Sequence, residues 1–293
     1  MKNLQHQSAT TTETLHTQRL HLILDGKRTE VARYGAPSAQ GDILLLHEAL
    51  GSVSYWKRFP HSLAQATGYN VIAYSRAGHG DSEGPLSQRS DAYYLHQVHV
   101  LIPALLAHFK VTDPVLYGHS EGAGIALLYA ATAPQAQPDS AESNRVRALI
   151  LESPFVIATG AAGGLIQKMA ASYPGSKLQE RLAHYHQHPD EVFYAWANWA
   201  AGLAKEIFPL RDFLPLVTCP VLALQGEQDE FGTSGQLEAL RRSIPHLQQQ
   251  TFANTGHLPH KEQTDRVLST VSAFLSNLEP QGNGSKPEYC SKN

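Results

Sequence analysis

One stretch of sequence decides the fold, residues 114–124: Pro114-Val115-Leu116-Tyr117-Gly118-His119-Ser120-Glu121-Gly122-Ala123-Gly124. An apolar run of strand type ends at Tyr117, and residues 125–130 have the composition of a helix. Gly118 and Gly122 flank a serine, and because glycine has no Cβ, a strand and a helix can approach closely on either side of it. The stretch therefore predicts a strand, a sharp turn that holds Ser120 in a strained backbone conformation, and a helix. The plainer interpretation is a tight turn without a chemical role.

Length, charge and cysteine content narrow the class of protein. The chain has 293 residues, 42% of them hydrophobic and 17% charged, which is typical of one large globular domain that can carry an insertion. The net charge of −3 does not favour nucleic acid or an anionic membrane surface as a partner. No apolar run reaches the roughly 18 residues of a membrane span, and residues 1–17 lack the apolar centre of a secretory signal. The only cysteines are Cys219 and Cys290, so we expect no disulfide framework and predict a cytoplasmic location.

The remaining chain alternates between strand-like and helix-like segments. The turn Asp25-Gly26 suits a hairpin, and Asp91 is a candidate cap for a helix that runs to about residue 109. Repeated strand–helix units predict an α/β fold with a mostly parallel sheet and helices on both of its faces. The strand-like runs are residues 20–24, 29–34, 43–46, 70–74, 114–117, 147–151, 221–225 and 249–252.

The alternation stops between residues 155 and 210. Helical runs in this segment contain Trp196 and Trp199, two of the three tryptophans in the chain. We interpret the segment as an inserted helical cap. The predicted organisation is a flexible leader (1–17), an α/β core (18–154 and 211–279), a helical cap (155–210) and a flexible tail (280–293).

Four predicted strands are followed by residues that can carry chemistry. Ser120, Asp229 and His257 each come after a different strand, and residues 47–52 come after a fourth. Because parallel strands bring their carboxyl ends to one edge of the sheet, ligand sites form at that edge. The sequence therefore predicts that these residues share one site.

These motifs resemble those of the α/β-hydrolase fold enzymes that carry a cap, and the resemblance extends from about residue 20 to residue 278. It implies an eight-stranded, mostly parallel sheet of the α/β-hydrolase type. It also implies that Ser120 is the nucleophile, that His257 is the general base and that Asp229 is the acid that orients the base. The matching motifs are Gly118-His119-Ser120-Glu121-Gly122, Gly226-Glu227-Gln228-Asp229, Thr255-Gly256-His257 and Gly78-His79-Gly80-Asp81-Ser82.

Elementary chemistry supports these three roles. A serine hydroxyl is a weak nucleophile at neutral pH, so a base must take its proton during attack. Histidine suits this role because its ordinary pKa is about 6.5, and a carboxylate on the other ring nitrogen holds the correct tautomer. Glu227, Glu230 and Glu152 remain competitors of Asp229 for the acid, since Glu152 also ends a strand.

The charge that develops on a substrate oxygen needs preorganised backbone donors. The resemblance implies the N–H of Glu121, next to the nucleophile, and the N–H of Ala49, in the loop after strand 43–46. Glu48 stands where similar enzymes usually have glycine, and its role is open. The candidate substrate-pocket residues are His47, Glu48, His119, Trp196 and Trp199.

Sixteen histidines raise the question of a metal site. His184, His186 and His188 alternate in a segment that is interpreted as helix, where residues two apart do not share a face. No cysteine or carboxylate cluster has the spacing of metal ligands, so we expect no metal. The glycine-containing loop 78–84 lacks both phosphate-binding patterns, and we expect no cofactor.

The sequence thus predicts a serine hydrolase that cleaves a small or medium carboxylic ester through an acyl-enzyme. The same residues could instead cleave a carbon–carbon bond in a dioxo-dienoate or open a lactone, because one fold hosts many reactions. A third hypothesis is a non-catalytic homologue that binds a ligand in its cap pocket. The expected partner is a small-molecule substrate, and the oligomeric state stays open, a homodimer included.

Overall fold

The computed structural model describes residues 15–86, 90–136, 145–156, 160–201, 210–232 and 234–278. Strand β1 begins at His16, so the end of the predicted leader (1–17) belongs to the sheet. The predicted tail (280–293) lies outside the described residues.

The described residues form one eight-stranded sheet in the order β1-β2-β4-β3-β5-β6-β7-β8. Strands β1 and β2 form an antiparallel hairpin, β2 pairs antiparallel with β4, and all other pairs are parallel. This confirms the predicted α/β fold with a mostly parallel sheet. The strands are β1 (His16–Leu24), β2 (Lys27–Gly35), β3 (Asp42–Leu46), β4 (Asn70–Tyr74), β5 (Val115–His119), β6 (Ala148–Glu152), β7 (Val221–Gly226) and β8 (Leu247–Phe252).

Helices cover both faces of the sheet, and two large apolar clusters form the core on its two sides. Both clusters contain side chains from the strands. In one of them these pack with α4 (Glu121–Ala136), and in the other with α1 (Phe59–Thr67) and α11 (Thr264–Ser276). The described helices are α1 (Phe59–Thr67), α2 (Asp91–His96), α3 (Ile102–Phe109), α4 (Glu121–Ala136), α5 (Gly160–Ser172), α6 (Lys177–Ala183), α7 (Pro189–Ala201), α8 (Leu210–Phe213), α9 (Ser234–Ser243), α10 (Pro259–Glu262) and α11 (Thr264–Ser276). Within the described ranges, no helix combines the length and apolar character needed to cross a bilayer.

The structure differs in two ways from the helix that the sequence predicts between residue 91 and about residue 109. Its cap is Ser90, whose hydroxyl accepts the backbone N–H of Tyr93, so the prediction of Asp91 as the cap is wrong. The helix is also interrupted by a π-type turn at Gln97–Leu101 before α3 begins. Pro103 lies in the first turn of α3, directly after the π-type turn.

The register of the parallel strands brings their carboxyl ends together. Leu46 at the end of β3 lies beside Gly118, and His119 lies beside Glu152 at the end of β6. Strand β7 ends next to Phe252 of β8. The loops that follow β3, β5, β6, β7 and β8 therefore meet at one edge of the sheet.

Helices α5, α6 and α7 come between β6 and β7 in the chain, where the sequence predicts an insertion. Their buried side chains form a third apolar cluster with Leu50 and Tyr55 of the β3–α1 connection. Tyr173 and Phe193 stack within this cluster with ring centroids 3.6 Å apart. The three helices thus lie against the loop that follows β3.

Candidate active site

Ser120 occupies a strained turn between β5 and α4. Its backbone φ is +54°, a left-handed conformation that costs free energy for a residue with a side chain. Its N–H donates to the carbonyl of Glu152 at 2.9 Å, which ties the turn to β6. A Cβ on Gly118 would collide with the carbonyl of Gly122, and a Cβ on Gly122 would collide with the carbonyl of Leu46. The two glycines are therefore required by close backbone approach.

His257 and Asp229 form a hydrogen-bonded pair at the same edge of the sheet. Nδ1 of His257 lies 2.9 Å from both carboxylate oxygens of Asp229. The Asp229 side chain is completely buried, and Oδ1 also accepts the backbone N–H groups of Phe231 and Gly232 at 2.9 Å. Gln225 donates to Oδ2 at 2.6 Å. Because Nδ1–H donates to the carboxylate, the other nitrogen, Nε2, is left as the basic one.

Electrostatics favour an ionised acid beside a basic histidine. Burial raises the pKa of Asp229, but the hydrogen bond and charge of His257 and two backbone N–H groups lower it more, and the net shift is downward. Burial lowers the pKa of His257, but the hydrogen bond and negative charge of Asp229 raise it more, so it lies above the ordinary 6.5. The carboxylate therefore favours the protonated form of the His257 ring.

A cavity of about 260 Å³ brings Ser120 and His257 together with residues from the insertion. Of the predicted pocket residues, Glu48, Trp196 and Trp199 line it. Most of its walls are apolar or aromatic. The lining residues are Glu48, Ala49, Leu50, Tyr55, Ser120, Glu121, Phe155, Leu165, Ile166, Met169, Leu178, Arg181, Trp196, Trp199, Ala200, Glu230, Phe231, His257 and Leu258.

The two residues predicted to donate to an oxyanion lie on this cavity as well. Ala49 and Glu121 both line it beside Ser120. Glu121 is the first residue of α4, so the positive end of the helix dipole points to the same place. These positions suit backbone donors for a developing negative charge.

A comparison with known proteins agrees with this geometry. A model of the Alpha/beta hydrolase family matches residues 43–270 of the chain. The chain belongs to the alpha/beta hydrolase family.

Individual relatives of this alpha/beta hydrolase are distant. The chain is 23% identical over 262 residues to the sn-1-specific diacylglycerol lipase ABHD11 of Mus musculus, and the match covers 80% of each chain. It is similar in structure to a thermophilic esterase from Thermogutta terrifontis, with a TM-score of 0.66, 21% identity, and 89% and 99% of the two chains covered. It is also similar to the enol-lactonase from Burkholderia xenovorans LB400, with a TM-score of 0.66, 20% identity, and 88% and 100% covered. At such identities the two structures show the fold alone.

Arg76 is a buried residue that organises the site of this alpha/beta hydrolase and that the sequence motifs do not reveal. Its guanidinium donates to the carbonyls of His47 at 2.6 Å and Glu48 at 2.8 Å. It also forms a 2.8 Å ion pair with the carboxylate of Glu121, whose other oxygen accepts the hydroxyl of Tyr94 at 3.3 Å. Arg76 therefore ties the loop that precedes Ala49 to the first turn of α4. Its sequence signal is its place directly after a buried strand.

Two buried histidines fix the loop that carries Ala49. Nε2 of His79 lies 3.0 Å from the carbonyl of Ala49. His186 accepts the N–H of Gly80 on Nδ1 and donates from Nε2 to the carbonyl of Leu50, both at 3.0 Å. The prediction of a helix over residues 184–188 is wrong: α6 ends at Ala183, and the segment turns so that His186 reaches the loop.

Glu152, which competes with Asp229 as the acid, pairs with another histidine. Its carboxylate accepts Nδ1–H of His260 at 2.9 Å, the backbone N–H of His260 at 2.7 Å and the hydroxyl of Tyr117 at 2.9 Å. Burial raises the pKa of Glu152, but His260 and, less strongly, His119 lower it to about 2.

Among the described residues, neither of the two remaining competitors of Asp229 hydrogen-bonds to the His257 ring. Glu230 lines the cavity, whereas Glu227 is exposed and does not. Within the part of the chain that the structure describes, the carboxylate hydrogen-bonded to the His257 ring is that of Asp229. The geometry therefore supports Asp229 as the acid that orients the base.

His47 and His119, which the sequence predicts as pocket residues, do not line this cavity. His47 donates from Nδ1 to the Glu48 carbonyl at 2.6 Å and accepts the N–H of Arg76 on Nε2. His119 donates from Nε2 to the carbonyl of His257 at 2.8 Å. Burial lowers the pKa of His119 to about 4 and that of His47 well below its ordinary value, so both rings are neutral at pH 7.

His119, Glu152 and His260 place ligand-type atoms within 4.8 Å of one another, which is close enough to hold a metal ion. However, both oxygens of Glu152 already accept hydrogen bonds from Tyr117 and His260, and Nε2 of His119 donates to a backbone carbonyl. A cation there would have to break these bonds. We therefore interpret the cluster as the support of the loop that carries His257.

Proposed function

We propose that this alpha/beta hydrolase cleaves carboxylic esters through an acyl-enzyme formed on Ser120. The observation that carries the proposal is the cavity shared by a serine in a strained turn and a histidine that is hydrogen-bonded to a buried carboxylate. Ser120, His257 and Asp229 come from three separate loops of the sheet edge. A purely structural role for this set would not require the serine to face a cavity.

The first half of the reaction transfers the acyl group to the enzyme. Oγ of Ser120 attacks the ester carbonyl while Nε2 of His257 takes its proton, and the carbonyl oxygen becomes an oxyanion. Backbone N–H groups of Ala49 and Glu121 stabilise this oxyanion. The tetrahedral intermediate collapses, the bond to the alcohol oxygen breaks, and His257 returns the proton to the leaving alcohol.

The second half repeats these steps with water. His257 takes a proton from the water, which attacks the acyl-enzyme carbonyl, and Ser120 leaves with the proton that His257 returns. Asp229 stays ionised throughout and stabilises the imidazolium. Its lowered pKa and the raised pKa of His257 fit this division of roles.

The cavity walls support an ester with an apolar acyl part. Side chains such as Leu165, Ile166, Met169 and Trp196 form an apolar wall on the insertion. Burial of apolar surface contributes roughly 25 cal/mol per Å², so an acyl chain would bind there through the hydrophobic effect. One relative in the family is named as a diacylglycerol lipase, which agrees with an ester of this kind.

A fluorophosphonate probe tests the nucleophile directly. The wild-type protein should be labelled at Ser120, and Ser120→Ala should not be labelled. Ser172→Ala is the matched control, because Ser172 is exposed on α5 and its hydroxyl donates to carbonyls of its own helix. Absence of labelling on folded wild-type protein would reject the proposal and favour a ligand-binding homologue.

The reaction class is tested with a panel of p-nitrophenyl esters, lactones and dioxo-dienoates. We expect the highest kcat/KM on the esters and no turnover by Ser120→Ala. Faster turnover of a lactone or a dioxo-dienoate by the wild type would instead assign the same nucleophile to ring opening or carbon–carbon cleavage.

A further inference from the structure

Glu48 presents a carboxylate to the cavity next to the reacting groups. It lines the cavity together with Ala49 and Ser120. Its backbone carbonyl accepts hydrogen bonds from Arg76 and His47, but its side chain has no hydrogen bond or ion pair with any residue that the structure describes. A partly buried carboxylate without a partner costs free energy. Because Glu48 lies in the cavity wall, its carboxylate is a hydrogen-bond acceptor for a molecule bound in the cavity.

The carboxylate of Glu48 is ionised at neutral pH. Burial raises its pKa, but His119, Lys261 and His257, in that order, lower it, and the net shift is downward. His119 is neutral at pH 7, because burial lowers its pKa to about 4. Burial lowers the pKa of Lys261 to about 8, so this ammonium still carries a positive charge at pH 7.

The position of Glu48 relative to His257 identifies the part of a substrate that it meets. His257 must hand a proton to the oxygen of the leaving alcohol, so the alcohol part of an ester lies against His257. Glu48 and His257 line the same cavity, and the negative charge of Glu48 raises the pKa of His257. Glu48 therefore borders the alcohol part of the substrate.

Two cationic side chains accompany Glu48. The ammonium of Lys261 lies 3.6 Å from the centroid of the Tyr55 ring, and Arg181 lines the cavity where it is exposed to solvent. Burial is the main reason for the raised pKa of Tyr55; Glu48 raises it further, and Arg181 opposes them. Arg181 also contributes to the lowered pKa of Lys261. We call Glu48, Tyr55 and Arg181, which all line the cavity, its polar end; Lys261 contacts Tyr55 but is not a lining residue.

The polar end combines one charged acceptor, Glu48, with one charged donor, Arg181. An alcohol with an ammonium group would be attracted by Glu48 but repelled by Arg181. An alcohol with a phosphate or carboxylate would be attracted by Arg181 but repelled by Glu48. A neutral polyol supplies hydroxyl hydrogens for the acceptor and hydroxyl oxygens for the donor, so it fits the whole set.

We propose, on the basis of the proposed ester hydrolysis, that the polar end binds a neutral polyol as the leaving alcohol, with a hydroxyl group donating to Glu48. The substrate class is then an ester of a fatty acid with glycerol or a similar polyol. Its acyl chain lies along Leu165, Ile166 and Met169, and its free hydroxyls lie at the polar end.

A pair of esters that differ only in two hydroxyls tests this inference. Wild-type kcat/KM should be about 10- to 100-fold higher for 1-octanoylglycerol than for propyl octanoate, the range expected for a hydrogen bond to a charged group. Glu48→Ala should reduce this ratio at least tenfold, and Arg181→Gln, at an exposed position, should reduce it by a smaller factor. Glu227→Ala is the matched control, because it removes an exposed carboxylate that does not line the cavity, and it should leave the ratio unchanged.

The outcomes separate this inference from the proposed function. Fluorophosphonate labelling of Ser120 in each variant shows that the active centre is intact. If labelled wild type cleaves both esters equally, or if the preference survives in Glu48→Ala, the polyol assignment is wrong and ester hydrolysis stands. Faster turnover of octanoylcholine than of 1-octanoylglycerol would also overturn it, in favour of an ammonium group. If Ser120 is not labelled and no ester is cleaved, the proposed function fails and the inference fails with it.

Discussion

Replacing Arg76 with methionine tests how the two halves of the proposed oxyanion site are held together. The guanidinium is 1% exposed, and its partner, the carboxylate of Glu121, is 5% exposed. Methionine keeps much of the apolar stem but removes the ion pair and the donors to the carbonyls of His47 and Glu48. The hydroxyl of Tyr94, 3.3 Å away, also donates to the Glu121 carboxylate.

The structure sets the size of the expected effect. Removing one partner of a buried ion pair leaves an uncompensated charge and typically costs about 3–5 kcal/mol. We therefore expect Arg76→Met to lower the free energy of unfolding by about 3–5 kcal/mol. The double variant Arg76→Met/Glu121→Gln also removes the buried negative charge with which Arg76 pairs, so it should be more stable than Arg76→Met alone.

Urea unfolding of both variants measures these changes, with unchanged m-values as the condition for comparing them. Arg241→Met is the matched control: Arg241 pairs with Glu238 on the exposed face of α9, and loss of such a surface pair should change the free energy of unfolding little. The reasoning is refuted if Arg76→Met lies within about 1 kcal/mol of wild type, the size of a surface pair, or if the double variant is no more stable than Arg76→Met.

Three further predictions concern protonation. A general base must be neutral, and the pKa of His257 is raised above 6.5, so the rising limb of kcat/KM against pH should have its midpoint above 6.5. Asp229→Asn should move this midpoint downward. A midpoint below about 6 in the wild type contradicts the prediction. The pKa of His119 is about 4 in the folded state and 6.5 in the unfolded state, so the unfolded state binds this proton first as the pH falls. Between pH 7 and pH 4 this should lower the free energy of unfolding by about 3 kcal/mol. Chemical unfolding of His119→Gln should show a correspondingly smaller loss of stability at acid pH. Glu152, with a pKa of about 2, contributes stability above pH 4.5 that is lost toward pH 2. Glu152→Gln should cost about 3–5 kcal/mol at pH 7 while leaving the kinetic midpoint of His257 in place, and a shifted midpoint would mean that Glu152, not Asp229, controls the base.

Local chemistry made much of this molecule predictable from its sequence. The turn at Ser120 depends on residues within a few positions of it, and the two glycines are needed because backbone atoms approach them closely. The hairpin turn at Asp25 and Gly26 is equally local, since both residues adopt positive φ. Buried parallel strands are visible as continuous apolar runs, and their carboxyl ends meet by the rules of parallel sheets.

The partner of each acid was decided by tertiary structure alone. Glu152 and Asp229 both follow buried strands, and nothing in the sequence around them separates their roles. Strand register places Glu152 beside His119, and the loop after β8 then brings His260 to it, while Asp229 reaches His257. A difference of three residues between His257, in the loop after β8, and His260, in α10, determines which carboxylate each one meets.

Side-chain hydrogen bonds and long-range contacts account for the remaining differences between the sequence predictions and the structure. His47 and His119 lie close to the predicted strand ends, but their side chains hydrogen-bond to backbone carbonyls and do not line the cavity. Arg76 and His186 support the loop of Ala49 through contacts between segments far apart in the chain. The sequence by itself determined the strands, the serine turn and the edge where the site forms, because these follow from local composition and backbone geometry. Only the tertiary structure decided which charged groups are paired, because that depends on distances between atoms that the chain order does not contain.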